Sequence, residues 1–222
     1  MQVTIQGVEH NVICKMRIKI FNFLLFLNHL LFRGGFFIFI FCNRKLSRMY
    51  RQLQKILVKF LPISTIYKYG FNLSPMYRRT TARVVHISDD LKKVTIKVPI
   101  SYKNKNYVGA IFGGSMFAAT DPIYMTQLMQ ILGNDYVVWD KAATINYKRP
   151  AKENLFCDFT FHEEEIESIR EQIVENHEMT IEKTTFLKNH DGQNFAEVIK
   201  TLYIADKNFY KEKLKKRLKS TS

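Results

Sequence analysis

The chain has 222 residues, 46% of them hydrophobic, enough for one sizeable core with extensions but not for two full domains. Its net charge of +14 is confined to the ends: residues 1–72 carry +10, residues 207–222 carry +6, and residues 73–206 carry −2. A nucleic-acid-reading face on the central part is therefore excluded, whereas contact of the basic ends with anionic lipid or an acidic partner stays open.

Residues 1–48 form a basic and apolar N-terminal extension. From Ile20 to Cys42 the side chains are mostly Phe, Leu and Ile, long enough for a membrane anchor, yet Asn28, His29, Arg33 and Gly34-Gly35 interrupt them. The alternatives are an interfacial segment or an over-extended start; a signal peptide fits less well, because Asn43-Arg44-Lys45 follows instead of a small-residue cleavage site. Residues 49–75 read as an amphipathic helix and linker. Arg48 to Tyr67 sets Tyr50, Leu53, Ile56, Leu57 and Phe60 against Arg51, Lys55 and Lys59, with Pro62 as its stop. It either packs across the domain or lies on a membrane surface.

Residues 76–206 make the expected domain. Thr81–Ile87 alternates, with Ala82, Val84 and His86 on one face. Asp89-Asp90 is a turn, and Val94–Ile100 alternates again. The loop Asn106–Phe112 leads into Gly113-Gly114-Ser115, and from Gly113 to Leu132 small residues give way to Ile123, Met125, Leu128, Met129, Ile131 and Leu132 before Gly133. That pattern predicts one buried helix with a glycine stop, kinked at Pro122. Tyr136–Tyr147 and Leu155–His162 are strands, the second with Leu155, Cys157, Phe159 and Phe161 on one face. The run from Glu163 to Glu175 is helical in composition and expected to be a solvated connector. Met179–Leu187 and Phe195–Ala205 form a hairpin about Asn189-His190-Asp191-Gly192. Residues 207–222 are a basic tail, either an amphipathic helix or a frayed end.

Two strands, a long helix and four further strands describe an α+β fold, a curved antiparallel sheet of about six strands wrapped round one central helix. Paired glycines at a helix start let backbone approach a ligand, and the free N–H groups of the first turn can polarise a carbonyl. Asp121, seven residues beyond Gly114, falls on nearly the same helix face. The simpler alternative is that Asp121 caps a helix restarting at Pro122.

No Ser-His-Asp set, Walker-type phosphate loop or dinucleotide fingerprint can be assigned. The contiguous acids after Glu163 do not form a glycosidase pair. Cys14, Cys42 and Cys157 lie far apart, as do the six histidines, which fits a reducing compartment and no metal or other cofactor.

Asn106, six intervening residues, Gly113-Gly114, six more and Asp121, followed by Ile145-Asn146-Tyr147-Lys148-Arg149-Pro150-Ala151, resemble the hotdog-fold acyl-CoA thioesterase superfamily, most of all its phenylacetyl-CoA-thioesterase-like branch. Phe112-Gly113-Gly114, Asp121-Pro122 and Val138-Trp139-Asp140-Lys141 are more similar still to a bacterial hotdog family of unknown function. The resemblance covers roughly residues 76–205. It implies catalytic roles for the Gly114 amide, polarising the thioester carbonyl, and for Asp121, as base or nucleophile. Asn106, Phe112, Gly113 and Ser115 would contact substrate. The residue before the glycine pair is often His in that branch and is Phe112 here, which favours the rival expectation of a module that binds acyl-CoA or an acyl-carrier without cleaving it. A homodimer or higher oligomer with the site at its interface is expected, in the cytoplasm, with membrane association through the N-terminal segment as a further expectation.

Overall fold

The structure is a computed structural model that describes residues 61–220. The expectations for residues 1–48, and most of the amphipathic stretch from Arg48, lie outside the described residues. Pro62 starts a helix, and whether one also stops at it lies outside the described residues. With φ −54° and ψ 142° it stands at the N-cap of α1 (Ile63–Leu73), where its missing N–H costs no intrahelical bond. A one-turn helix, α2 (Pro75–Arg79), follows.

Six strands form one antiparallel sheet: β1 (Arg83–Ile87), β2 (Lys93–Val98), β3 (Tyr136–Tyr147), β4 (Leu155–Thr160), β5 (Glu178–Lys188) and β6 (Asn194–Asp206). Their spatial order is β1-β2-β4-β5-β6-β3. The expected strands are present, with ends shifted by one or two residues. In β1 the simple alternation fails because a bulge lies between Val84 and His86, so Val84 and Ile87 are buried while His86 is exposed. The outer edge of β1 is occupied by side chains of α1. Asn72 accepts from Val84 N (2.8 Å) and donates to Val84 O (2.9 Å), and Lys68 Nζ donates to Val85 O (2.7 Å).

The predicted single helix is two: α3 (Gly113–Thr120) and α4 (Ile123–Leu132). Asp121 and Pro122 both keep right-handed helical angles, but proline has no N–H to continue the ladder, and the break falls there. Met116, Ala119, Ile123, Tyr124, Leu128 and Leu132 are buried against the apolar faces of the strands, which supply Val94, Ile96, Leu155, Cys157, Phe159, Val198, Leu202 and Ile204. Tyr77 of α2 is fully buried and donates to Ala119 O at 3.1 Å, fastening the segment before the sheet to α3. This is the hotdog arrangement, an antiparallel sheet packed on a central helical element.

The acidic connector is a packed element. In α5 (Glu163–Asn176), Ile166, Ile169 and Ile173 are buried and Arg170 donates to Ile131 O (2.9 Å), while Glu163, Glu164 and Glu165 stand in the first turn, where the helix dipole favours negative charge. The 189–192 turn forms as expected, with Gly192 at φ 81° and Asn189 Oδ1 accepting from Gln193 N. The basic tail is a helix, α6 (Lys207–Ser220), that buries no residue; Asp206 Oδ1 caps it by accepting from Asn208 N and Phe209 N.

Between β4 and β5 only Phe156 and Lys188 pair, and the strands part beyond them. The resulting cleft of about 370 Å³ is lined by Tyr124, Asp158, Lys183, Thr185 and Phe186 among others, and neither Gly114 nor Asp121 reaches it.

Candidate active site around Asp121

The loop before α3 is held from below by an asparagine that motif reading passes over. Asn104 is buried; its side chain bonds Thr81 Oγ1 (2.7 Å), Pro99 O (2.9 Å) and Ser101 N (2.9 Å), and its carbonyl accepts from Phe112 N (2.7 Å). Asn106, the motif residue, spends its Oδ1 on Val108 N (3.1 Å) and Ala110 N (3.0 Å), closing a turn that needs Gly109 at φ 80°. In this structure it shapes the loop.

At the start of α3, Ser115 N and Met116 N both donate to Phe112 O (2.9 and 3.3 Å). The amides of Gly113 and Gly114 come before the first bond of the helical ladder and are the donors left for an acceptor outside the helix. Each glycine has an aromatic ring against its Cα. A Cβ on Gly113 would lie 2.8 Å from Tyr147 Cζ, and one on Gly114 would collide with the ring of Phe112. Phe112 is 59% exposed, so its ring has room to swing outward. Gly114→Ala should therefore lower the melting temperature only modestly, and Phe112→Ala in the same chain should remove that loss, a coupling read from a thermal double-mutant cycle.

Asp121 is the C-cap residue of α3, but its side chain does not cap α4, whose N-terminus has no side-chain capping bond. Its Oδ1 accepts instead from Lys200 Nζ at 3.0 Å. The Lys200 side chain is 0% exposed, that of Asp121 57%. The same Nζ lies 3.1 Å from Asp140 Oδ1, whose side chain is 21% exposed. That second contact pairs the two charges, and Asp140 Oδ1 itself has almost no exposed surface. Burial pushes the Asp140 carboxyl above the usual carboxylate range, opposed by Lys200 and reinforced by the nearby Asp121.

The fold explains how these three meet. Asp140 stands at the bulge of β3, between Asp140 and Ala142, and Lys200 occupies an inward position of β6 between Val198 and Leu202. The break between α3 and α4 presents Asp121 to that position. Neither Lys200 nor Asp140 was expected at the site. The signal was a lysine at the inward parity of an otherwise apolar strand, where a charge must find a partner.

Other chemistry is poorly placed. Cys157 is buried beside Thr185 Oγ1 (3.0 Å), and burial pushes its thiol up to about 12, so little thiolate exists at neutral pH. Among the described residues, no group of three His, Cys, Asp or Glu side chains is placed to hold a metal ion, and no helix is long and apolar enough to cross a membrane.

No curated protein matches this sequence. Among solved structures, the chain is similar to a protein of unknown function from Pseudomonas aeruginosa described as a probable thioesterase. The identity is 17% and the TM-score 0.58, over 66% of this chain and 98% of that one. It is also similar to a protein of unknown function from Chlorobaculum tepidum TLS, at 13% identity and a TM-score of 0.54, over 65% of this chain and 94% of that one. These likenesses show the fold. Residues 64–204 match the model of the DUF4442 family, a domain of unknown function, and with well over half its length inside that match the chain belongs to this family, on a hotdog fold.

Proposed function

We propose that this chain hydrolyses acyl thioesters, with acyl-CoA or an acyl-carrier thioester as substrate. The observation that carries the reading is the carboxylate of Asp121, which faces solvent on one side and is fastened on the other to the fully buried Lys200. A carboxylate fixed in one rotamer but open to a ligand suits a general base. The likeness in fold to a probable thioesterase supports the same class.

In the proposed step Asp121 takes a proton from water as the water oxygen attacks the thioester carbonyl. The negative charge formed on the carbonyl oxygen is met by the Gly114 amide, beside Gly113 and Ser115. The tetrahedral intermediate then expels the thiolate as the C–S bond breaks, and the proton on Asp121 passes to the leaving sulfur. No bound cofactor takes part in this scheme; coenzyme A belongs to the substrate.

Asp121 and the glycine pair lie at an open face of one chain, so a second copy is proposed to complete the pocket. Among the described residues, edge strand β3 pairs with β6 alone, and it exposes Trp139 and Tyr147. The helix α6, with Leu214 and Leu218 exposed among lysines, is proposed to rest on anionic membrane surfaces.

A second reading, a hotdog module that holds an acyl thioester intact, is favoured by the Phe112 ring lying over Gly114. The deciding experiment presents a panel of acyl-CoAs to the full chain and follows thiol release with a thiol-reactive dye, with binding measured in parallel. Release supports the hydrolase. Binding without release supports the holder, and neither would end both readings.

A further inference from the structure

We propose that Lys200 and Asp140 are positioning residues for Asp121, and that protonation of Asp140 closes the acid side of the activity profile. This rests on Asp121 acting in thioester hydrolysis as proposed above.

The argument begins with the cost of a buried ammonium. Lysine has a flexible four-carbon stem and a strongly hydrated head, and a side chain with no exposed surface must replace that hydration with fixed partners. Its head has three donors, and Asp121 takes one of them. Asp121 alone would be a poor anchor, since more than half of it is exposed and water competes for its oxygens. Asp140 is the more enclosed carboxylate and sits on the backbone of a strand, so it is the group that can hold the ammonium in place. Asp140 keeps the inward parity of Val138, opposite Leu202, and the bulge follows it in the strand.

The charges around the pair are unequal. Lys183 of β5 is the direct cross-strand partner of Lys200 and shares its face of the sheet, but Glu165 of α5 engages it at 2.7 and 2.8 Å, and it lies over the rings of Phe161 and Tyr124. Asp121 from the α3–α4 break and Asp140 from β3 thus share the single ammonium of Lys200. One carboxylate is in excess, and Asp140, the more enclosed of the two and held above the usual carboxylate range by that burial, takes up a proton as pH falls. Its protonation removes half of the charge that holds Lys200, and Asp121 loses its fixed rotamer.

The test uses the full chain in three forms: wild type, Asp140→Asn and Lys200→Gln. Turnover of an acyl-CoA is measured across pH as separate kcat and KM, and the carboxyl carbon of Asp140 is followed by NMR, assigned by its loss in Asp140→Asn. Asp140→Asn should lower kcat by about tenfold to a hundredfold with little change in KM, since a misplaced catalytic group costs rate more than binding. Its acid limb should be displaced from that of wild type. In Lys200→Gln the Asp140 carboxyl should titrate at higher pH than in wild type, because the charge that opposed its protonation is gone. Wild-type kinetics in Asp140→Asn, or an Asp140 titration unmoved by Lys200→Gln, would overturn the inference. If the wild type turns over no thioester, the hydrolase reading falls by itself and the pairing is judged by NMR alone: a moved titration upholds it and an unmoved one ends it.

Discussion

Asp121→Ala is expected to abolish nearly all acyl-CoA hydrolysis, lowering kcat by about 10²–10⁴-fold, the span a positioned general base contributes. The chain should stay folded, because the side chain is mostly exposed and makes no helix cap. Substrate affinity should change little, since Asp121 acts on water and not on the acyl group. Asp121→Asn keeps the shape and the contact to Lys200 but cannot accept a proton in the same way, and it should be nearly as inactive. Rates within twofold of wild type in both variants, on a substrate the wild type cleaves, would remove Asp121 from the mechanism.

Lys200→Met is expected to have the largest effect on stability. The thioether fits where the stem was, yet Asp121 and Asp140 then face each other without a counter-charge, and removing one partner of a buried pair costs about 3–5 kcal/mol. The partly exposed Asp140 places the expected loss near the lower end, about 3 kcal/mol by urea denaturation at pH 8. The pH dependence has a definite sign. Asp140 is raised above its unfolded value, so its contribution to stability is complete below the ordinary carboxylate range and is lost as pH rises through the raised folded value. Without Lys200 that folded value rises further, so the deficit of Lys200→Met should be large at alkaline pH and shrink on acidification. A deficit independent of pH would point to lost packing alone.

Strands were legible wherever one face is buried, as in β4, where Leu155, Cys157 and Phe159 point to the core. The 189–192 turn was legible because asparagine and glycine supply its hydrogen bond and its positive φ. The α5 helix was misjudged as a connector because its acids outnumber three isoleucines, although Ile166, Ile169 and Ile173 already mark a helical stripe. Pro62 and Pro122 both stand at the N-cap of a helix, where a missing N–H costs no intrahelical bond. At the candidate site, local motifs pointed to Gly114 and Asp121, but the lysine that grips Asp121 is 79 residues away, and only strand register brings it there. Asn106 shows the converse: its match to a family pattern gave no hint that its side-chain oxygen is already committed within the loop.

The side chains of Asn72 and Lys68 lie along β1 as a substitute for a further strand, so that rim of the sheet is sealed by hydrogen bonds from its own chain. The opposite rim, β3, is twelve residues long, and among the described residues no strand pairs with its outer side. A ribbon with one finished margin can be extended only once: if two copies join at β3, as proposed, both outer margins are finished and no third can add. The small amide of Asn72 would then act as a terminator, and its loss would let such a pair grow end on end.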